Sequence, residues 1–200
     1  MYKIRRICVY CGSGIGADSA FVNAANKLGK VLVDNNIELV YGGASVGLMG
    51  TIAKSVLENG GKVIGIIPKS LVGKEVALTE LTDLRIVNTM HERKILMTEL
   101  SDGFIAMPGG FGTLEEIFEI ITWAQLGFHN KPCSLLNING YYDHLLKFLD
   151  HTVDQHFIEK EHYKMVIVDT YPELIISKFK KYSAPNIDKA KWALNNKILL

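Results

Sequence analysis

Gly103-Phe104-Ile105-Ala106-Met107-Pro108-Gly109-Gly110-Phe111-Gly112-Thr113-Leu114-Glu115-Glu116 runs from a short apolar stretch through a glycine-rich turn into a helical pattern. Gly103–Met107 is strand-sized and lacks polar alternation, as expected for a strand covered on both faces. From Thr113 to Leu126 the apolar residues return at helical spacing, with Leu114, Ile117, Ile121 and Ala124 forming one stripe. Strand, glycine turn and helix together form the repeating unit of open parallel sheets. The turn falls where a ligand meets a helix N-terminus.

The same unit recurs on either side. Ile7–Tyr10, Ile37–Tyr41, Lys62–Ile67, Leu84–Val87, Cys133–Asn137 and Met165–Val168 read as further strands. Ser19–Asn35, Leu48–Asn59, His91–Leu100, Tyr142–His151 and Tyr171–Lys181 read as the helices among them. Asn59-Gly60-Gly61 stops one helix, and Tyr171-Pro172 places proline in the first turn of another. The alternation predicts an α/β fold, a Rossmann-like doubly wound parallel sheet with helices on both faces in a single domain. Right-handed crossovers then bring every strand-to-helix loop to the carboxyl edge. Residues 1–182 are expected to form this domain, and 183–200 a C-terminal extension outside the alternation.

The composition bounds the function. Two hundred residues, 48% apolar and 22% charged, are enough for one domain with a sizeable core. Twenty-two basic and twenty-one acidic residues leave a net charge of +1, which excludes the broad basic face of a nucleic-acid binder. No apolar run reaches the length of a membrane span. Arg5 and Arg6 are followed by only six residues, Ile7 to Gly12, before a glycine turn, too few for a signal-peptide core. With three cysteines and no disulfide framework, a reducing cytoplasm is the expected compartment. Cys8 and Cys11 are spaced Cys-x-x-Cys, but Cys133 stands alone and Cys8 lies inside a strand rather than opening a helix. They read as small buried strand residues. His151 and His156 have no ligand-like neighbours, so neither metal nor cofactor is expected.

Eighteen glycines are the one compositional signal, and they gather in three places: Cys11–Gly16, Gly42–Gly50 and Pro108–Thr113. Each is a strand-to-helix turn, where unpaired N–H groups and the helix dipole favour an anion and absent side chains admit a phosphate. Glycine also serves tight turns for steric reasons. Three such turns on one edge favour binding of a nucleotide or sugar phosphate. Gly12-Ser13-Gly14-Ile15-Gly16 lacks the third glycine of a dinucleotide fingerprint, Glu38 sits early in its strand, and no turn ends in Gly-Lys-Ser/Thr.

Pro108-Gly109-Gly110-Phe111-Gly112-Thr113-Leu114-Glu115-Glu116 matches PGGxGTxxE. With it the chain resembles the LOG family, cytokinin riboside 5′-monophosphate phosphoribohydrolases long labelled lysine decarboxylases. Cys8–Ser13, Tyr41–Gly43, Gly47–Gly50, Met90–Lys94, Trp123–Gly127, Lys131-Pro132 and Leu135–Asn137 carry the resemblance further, over roughly residues 5 to 180. It implies hydrolysis of the N-glycosidic bond of a purine nucleoside 5′-monophosphate, with an adenine-type base that can be N6-modified, to free base and ribose 5-phosphate. It implies Arg93 and Glu116 as the catalytic pair. Substrate contacts fall on Lys94, on Gly109, Gly110, Phe111, Gly112, Thr113, Leu114 and Glu115, on Thr122, and more loosely on Glu75. The companion motifs add Gly12, Ser13, Gly42, Gly43 and Met90.

The chemistry is compatible with those residue types. Glycosidic cleavage passes through an oxocarbenium-like sugar, which needs a carboxylate nearby and a donor for the departing base. A phosphate held at the helix N-terminus would fix the ribose over Glu116. Arg93 could pair with phosphate or carboxylate in forked geometry. Each residue also has a plainer reading. Thr113 and Glu116 could form a capping box. Arg93 and Lys94 could be a solvated helix start, although cations disfavour that end. Thr122 could be a helix-face threonine and Glu75 a surface loop residue.

Trp123 and Leu126 fall outside the apolar stripe, which suggests a partner helix or packing under the Gly127–Lys131 loop; the resemblance implies a homodimer. The chain departs from the family at Thr152-Val153, at His156 where glycine is usual, and at Ser134 where glycine is again usual. The first two bear on a segment expected to flank the base pocket. Two other functions stand beside the hydrolase. A non-catalytic nucleotide-binding or sensing domain would keep the glycine turns but could dispense with Arg93 and Glu116. A lysine decarboxylase would need pyridoxal phosphate on a lysine, for which the chain offers no site.

Overall fold

The computed structural model describes residues 3–73, 78 and 81–185. Among these, seven strands alternate with helices: β1 (Arg6–Tyr10), α1 (Ser19–Asp34), β2 (Glu38–Tyr41), α2 (Gly47–Glu58), β3 (Val63–Pro68), β4 (Asp83–Val87), α3 (Met90–Leu100), β5 (Gly103–Ala106), α4 (Phe111–Gln125), β6 (Cys133–Leu136), α5 (Asp143–Asp154), α6 (Lys160–Tyr163), β7 (Val166–Asp169) and α7 (Pro172–Lys180). The strands form one sheet in the order β4-β3-β2-β1-β5-β6-β7. Every pairing is parallel. The chain winds from β1 to β4, crosses back to place β5 beside β1, and then winds the other way. The carboxyl ends of β1 and β5 are therefore the switch point at which such sheets bind ligands.

The pleat of β1 divides the core. Ile7 and Val9 face one layer, with Leu28 of α1, Ile52 of α2 and Phe179 of α7. Cys8 and Tyr10 face the other, with Met97 of α3 and Ile117 and Ile120 of α4. The three cysteines are free and buried, as expected of small core residues. Burial pushes all three thiols up. Glu38 is tied to Arg6 at 2.7 Å and to Lys62 at 3.7 Å at the start of β2, away from any ribose site.

Several expectations are corrected. α4 starts at Phe111 rather than Thr113, and its buried stripe is Thr113, Ile117, Ile120 and Ala124. Leu114 and Ile121 are half-buried, because starting the period at Thr113 turns Ile120 inward. The four-residue α6 is too short to have left a periodic signal.

Helix ends account for His156. α1, α2, α4 and α5 are each followed by a residue at positive φ: Asn36 (55°), Gly60 (80°), Gly127 (79°) and His156 (58°). Beyond α5 the His156 N–H donates to the Val153 carbonyl and the Phe157 N–H to the Thr152 carbonyl, both at 2.9 Å, which is a Schellman termination. Glycine is favoured at such a position for its backbone. A crossover helix that leaves β6 at the carboxyl edge ends towards the amino edge, so His156 does not flank a pocket at the switch point. Ser134, the other departure, is fully buried in β6 and its hydroxyl donates to the Phe104 carbonyl at 3.3 Å.

The expected boundary at 182/183 lies just past α7, and residues 186–200 of the expected extension lie outside the described residues. Among the described residues no helix is long and apolar enough to cross a membrane.

Candidate active site

The turns after β1 and β5 are stitched together. The Gly12 N–H donates to the Pro108 carbonyl at 3.0 Å, and the Met107 N–H to the Tyr10 carbonyl at 2.9 Å. Glycine is required at 109 for this approach: a Cβ there would stand 2.2 Å from Thr113 Oγ1 and 2.9 Å from the Gly12 nitrogen. The turn after β2 closes on the same structure. Leu48 N–H, at the start of α2, donates to the carbonyls of Gly12 (3.1 Å) and Gly14 (3.3 Å). Gly47, at φ 61°, lies so near Ser13 that a Cβ would come within 2.2 Å of its carbonyl carbon.

The helix N-termini behind these turns are not equivalent. That of α2 is covered by carbonyls of the first turn, and that of α1 is capped by Asp18, whose side chain accepts from the Ala20 N–H at 2.8 Å. α4 starts from Gly110 with no side-chain cap, so its first-turn N–H groups open on the cleft. Expecting three anion-binding turns is thus corrected to one open end, with the other two built into the scaffold. The capping-box reading of Thr113 and Glu116 also falls, because Thr113 is already the third helical residue. A related cap appears on α3, where Thr89 Oγ1 accepts the Glu92 N–H at 3.1 Å and Glu92 Oε2 accepts the N–H of Asn88, the residue before the cap, at 2.8 Å.

Gly110 and Gly112 differ from the scaffold glycines. A Cβ at either would meet nothing within 4 Å, and neither has positive φ. The fold itself does not require glycine there. The space their side chains would fill is part of a cleft of about 300 Å³ between the β1 and β5 turns and the starts of α3 and α4.

Arg93 forms a wall of this cleft and is only 5% exposed. Its Nη2 donates to the Gly42 carbonyl at 3.4 Å, and Nη1 lies 4.0 Å from Met90 Sδ. Its Nε is buried without a hydrogen-bond partner among the described residues. Gly42 makes room for this side chain, since a Cβ there would stand 2.2 Å from Nη2. A buried guanidinium with spare donors is costly unless an anion completes it. Glu116 is half-buried in the same cleft. Its charge is felt at Cys11, another cleft residue: burial pushes that thiol up, and the Glu116 carboxylate adds to the shift.

The cleft thus brings together Gly12, Ser13, Met90, Arg93, Gly110, Phe111, Gly112, Thr113, Glu115 and Glu116. The remaining expected residues lie elsewhere. Gly109 lines an adjoining hollow of about 230 Å³, Gly42 backs Arg93, and Gly43 packs against Ile67. Leu114 is packed against the core beneath α3 and α4. Lys94 lies between those helices, its Nζ 2.7 Å from Glu115 Oε1 and 3.0 Å from Glu119 Oε2. Burial pulls the Lys94 ammonium down, but the two glutamates outweigh it and hold the group above its ordinary value. Thr122 is exposed and donates to the Phe118 carbonyl of its own helix at 2.7 Å. Glu75 lies outside the described residues.

Sequence reasoning missed Cys11, Met49 and Leu71 in the cleft wall, and Tyr141, whose hydroxyl donates to the Gly109 carbonyl at 2.6 Å. Tyr141 follows β6 on the same sheet edge, and that placement was the available signal. A larger groove of about 560 Å³ lies against α3 and α4, with Ile95, Trp123 and Phe128 in its wall, and contains neither Arg93 nor Glu116.

Fold and site together define a doubly wound α/β protein whose switch point is a cleft walled by a buried arginine and a glutamate. Sequence comparison identifies the family. Residues 49–179 match the family model described as "Possible lysine decarboxylase". The chain is 45% identical over 195 residues to the probable cytokinin riboside 5′-monophosphate phosphoribohydrolase LOGL2 of Oryza sativa subsp. japonica, covering 96% of this chain and 80% of that one. It is 48% identical over 181 residues to the cytokinin riboside 5′-monophosphate phosphoribohydrolase LOG3 of Arabidopsis thaliana, covering 90% and 84%. The chain belongs to this LOG family. The molybdenum cofactor binding protein of Rippkaea orientalis superposes with a TM-score of 0.67 over 90% of this chain and 98% of its own, at 22% identity, which shows a shared fold alone.

Proposed function

We propose that this protein hydrolyses the N-glycosidic bond of a purine nucleoside 5′-monophosphate, releasing the free base and ribose 5-phosphate. The observation that carries the reading is Arg93, a buried cation with an unmatched donor, in one cleft with Glu116 and an uncapped helix start. The 5′-phosphate sits on the first-turn N–H groups of α4, where Gly110 and Gly112 leave it room. That placement holds C1′ near Glu116, whose carboxylate stabilises the developing oxocarbenium charge or draws a proton from the attacking water. Water adds to C1′ as the bond to the base nitrogen breaks; its oxygen becomes the C1′ hydroxyl, and the proton it loses passes to the base, which leaves as a neutral molecule. The guanidinium of Arg93 serves as a fixed forked donor to an anionic group. Met49, Leu71, Met90 and Phe111 give the cleft apolar surface suited to a flat base, and the relatives are named for cytokinin riboside 5′-monophosphates.

The hydrolytic unit in this reading is residues 1–182, working in the cytoplasm as a homodimer. Trp123, half-buried, and Phe128, 74% exposed, border the groove beside α3 and α4 and supply an apolar face for the second copy. Incubation with AMP and with N6-isopentenyl-AMP, followed by chromatography, should show free base. Arg93→Ala and Glu116→Ala should each reduce its release at least a hundredfold. No release from either nucleotide, with Glu116→Ala indistinguishable from the unmodified protein, would leave a nucleotide-binding domain instead.

A further inference from the structure

We propose that Tyr141 is a positioning residue for the anion seat: its hydroxyl fixes the Gly109–Gly110 peptide with the carbonyl turned from the cleft and the Gly110 N–H turned towards it. This rests on the phosphate seat just described. A helix N-terminus holds an anion only while the carbonyls of the turn before it point elsewhere, since a carbonyl oxygen facing a phosphate repels it. The Gly109–Gly110 peptide is the weak point of this turn. A peptide plane turns over by rotation about the bonds on either side, and both belong here to glycine, which has no Cβ to bar either orientation.

Every carbonyl of the turn is held from within the protein. The Met107 carbonyl accepts from the Tyr142 hydroxyl and the Gly109 carbonyl from the Tyr141 hydroxyl, both at 2.6 Å. Between them the Pro108 carbonyl accepts the Gly12 N–H at 3.0 Å, and beyond them the Gly110 carbonyl accepts the Leu114 N–H at 3.1 Å. Of these four bonds, only that of Tyr141 acts on the Gly109–Gly110 peptide. Its ring is seated edge-on against Phe21 of α1 and against Tyr142, with centroids 5.7 Å and 5.0 Å apart, so the hydroxyl is aimed. The backbone beneath is pinned as well, because the Tyr142 N–H donates to Asn137 Oδ1 at 2.8 Å. Tyr141 approaches from the adjoining hollow, which shares Gly12, Ser13 and Gly110 with the cleft. The C=O and N–H of a trans peptide point in opposite directions. With the Gly109 carbonyl drawn to the hollow, the Gly110 N–H is left to the cleft side.

The test separates phosphate from the rest of the substrate. Tyr141→Phe keeps the ring contacts and removes only the hydroxyl, on a residue that is partly exposed. In calorimetric titration, Kd for ribose 5-phosphate and for AMP should rise about tenfold, as for one lost hydrogen bond to a charged group, while Kd for adenosine changes less than about twofold. The Gly110 amide resonance of the ligand-free protein should already be shifted or doubled by the substitution. Equal weakening of all three ligands, or of none, would overturn the proposal. So would weaker phosphate binding with the Gly110 resonance unmoved, the mark of a hydroxyl that touches phosphate itself. Tyr141→Leu removes the ring too; it should lower Tm further than Tyr141→Phe yet give the same ratio of ribose 5-phosphate to adenosine affinity. A ratio that follows Tm across the two variants would reduce Tyr141 to a structural part and overturn the positioning role. None of these measurements needs turnover, so binding of AMP without cleavage would count against hydrolysis alone. An unmodified protein that binds neither AMP nor ribose 5-phosphate would overturn the seat and the positioning role together.

Discussion

Replacing Gly42 with alanine isolates the role of Arg93 without touching Arg93. The added Cβ would lie 2.2 Å from Arg93 Nη2, 3.1 Å from Met49 Sδ and 3.4 Å from Arg93 Cζ. Ordinary contact is about 3.5 Å, so the guanidinium must withdraw by more than about 1 Å. The atom it strikes is the far end of a flexible side chain, and Gly42 is not at positive φ, so the backbone can accept alanine. Stability should barely change, with a small entropic gain offsetting the lost bond to the Gly42 carbonyl. Function should change a great deal, because a displacement of about 1 Å in a positioned group costs on the order of a hundredfold, or about 2.7 kcal/mol of barrier.

The assay is release of free base, read as kcat/KM beside a thermal melt. The expected result is a loss of about a hundredfold with Tm within about 3 °C of the starting protein. In an Arg93→Lys background the same substitution should add almost nothing, since the atom it hits is gone. Activity within threefold of the starting protein, or a loss matched by unfolding, would refute the reasoning.

Two other substitutions act through the backbone. Gly112→Ala meets no atom of the protein and exchanges a poor helix former for a good one near the start of α4, so Tm should rise by a few degrees while KM for AMP rises at least tenfold. Parallel melts and kinetics check the opposed signs. His156→Gly removes the cost of a non-glycine residue at φ 58°, about 1 kcal/mol, and should raise Tm by roughly 2–4 °C with base release unchanged.

The fold was legible because a parallel sheet buries both faces of its strands, leaving seven short apolar runs separated by helical patterns. Boundaries were harder to read where local preference and tertiary context disagree. Phe111-Gly112 reads as turn because glycine is a poor helix former, yet it opens α4. In the site, Arg93 and Glu116 were reachable through motif matching, but the work of each glycine was not. Gly42, Gly47 and Gly109 are glycine because another part of the protein occupies the space, and Gly110 and Gly112 because nothing in the protein does. Composition and turn position cannot separate the two kinds, since the difference is made by residues distant in sequence. The surroundings of Lys94 were hidden in the same way, since the two glutamates paired with it lie 21 and 25 positions further on.

What remains is why one chain tolerates so many local violations at a single place. An uncapped N-terminus leaves α4 with unsatisfied donors, and a buried guanidinium carries an unmatched N–H. Gly112 weakens the first turn of a helix without relieving any clash, and Phe111 stands 94% exposed at the rim. Each costs stability when taken alone, through unpaired polar groups, chain entropy or apolar surface left in water. The defects differ in kind, so separate accidents would have scattered them over the surface. They meet instead in one cleft at the switch point, and one class of ligand relieves them together. A phosphate completes the N–H groups and occupies the space above the glycines, a negative charge satisfies the arginine, and a flat apolar base covers the aromatic rim. A nucleoside monophosphate carries all three on one frame. A free phosphate would leave the rim exposed, and a free base would leave the cation and the helix end unanswered.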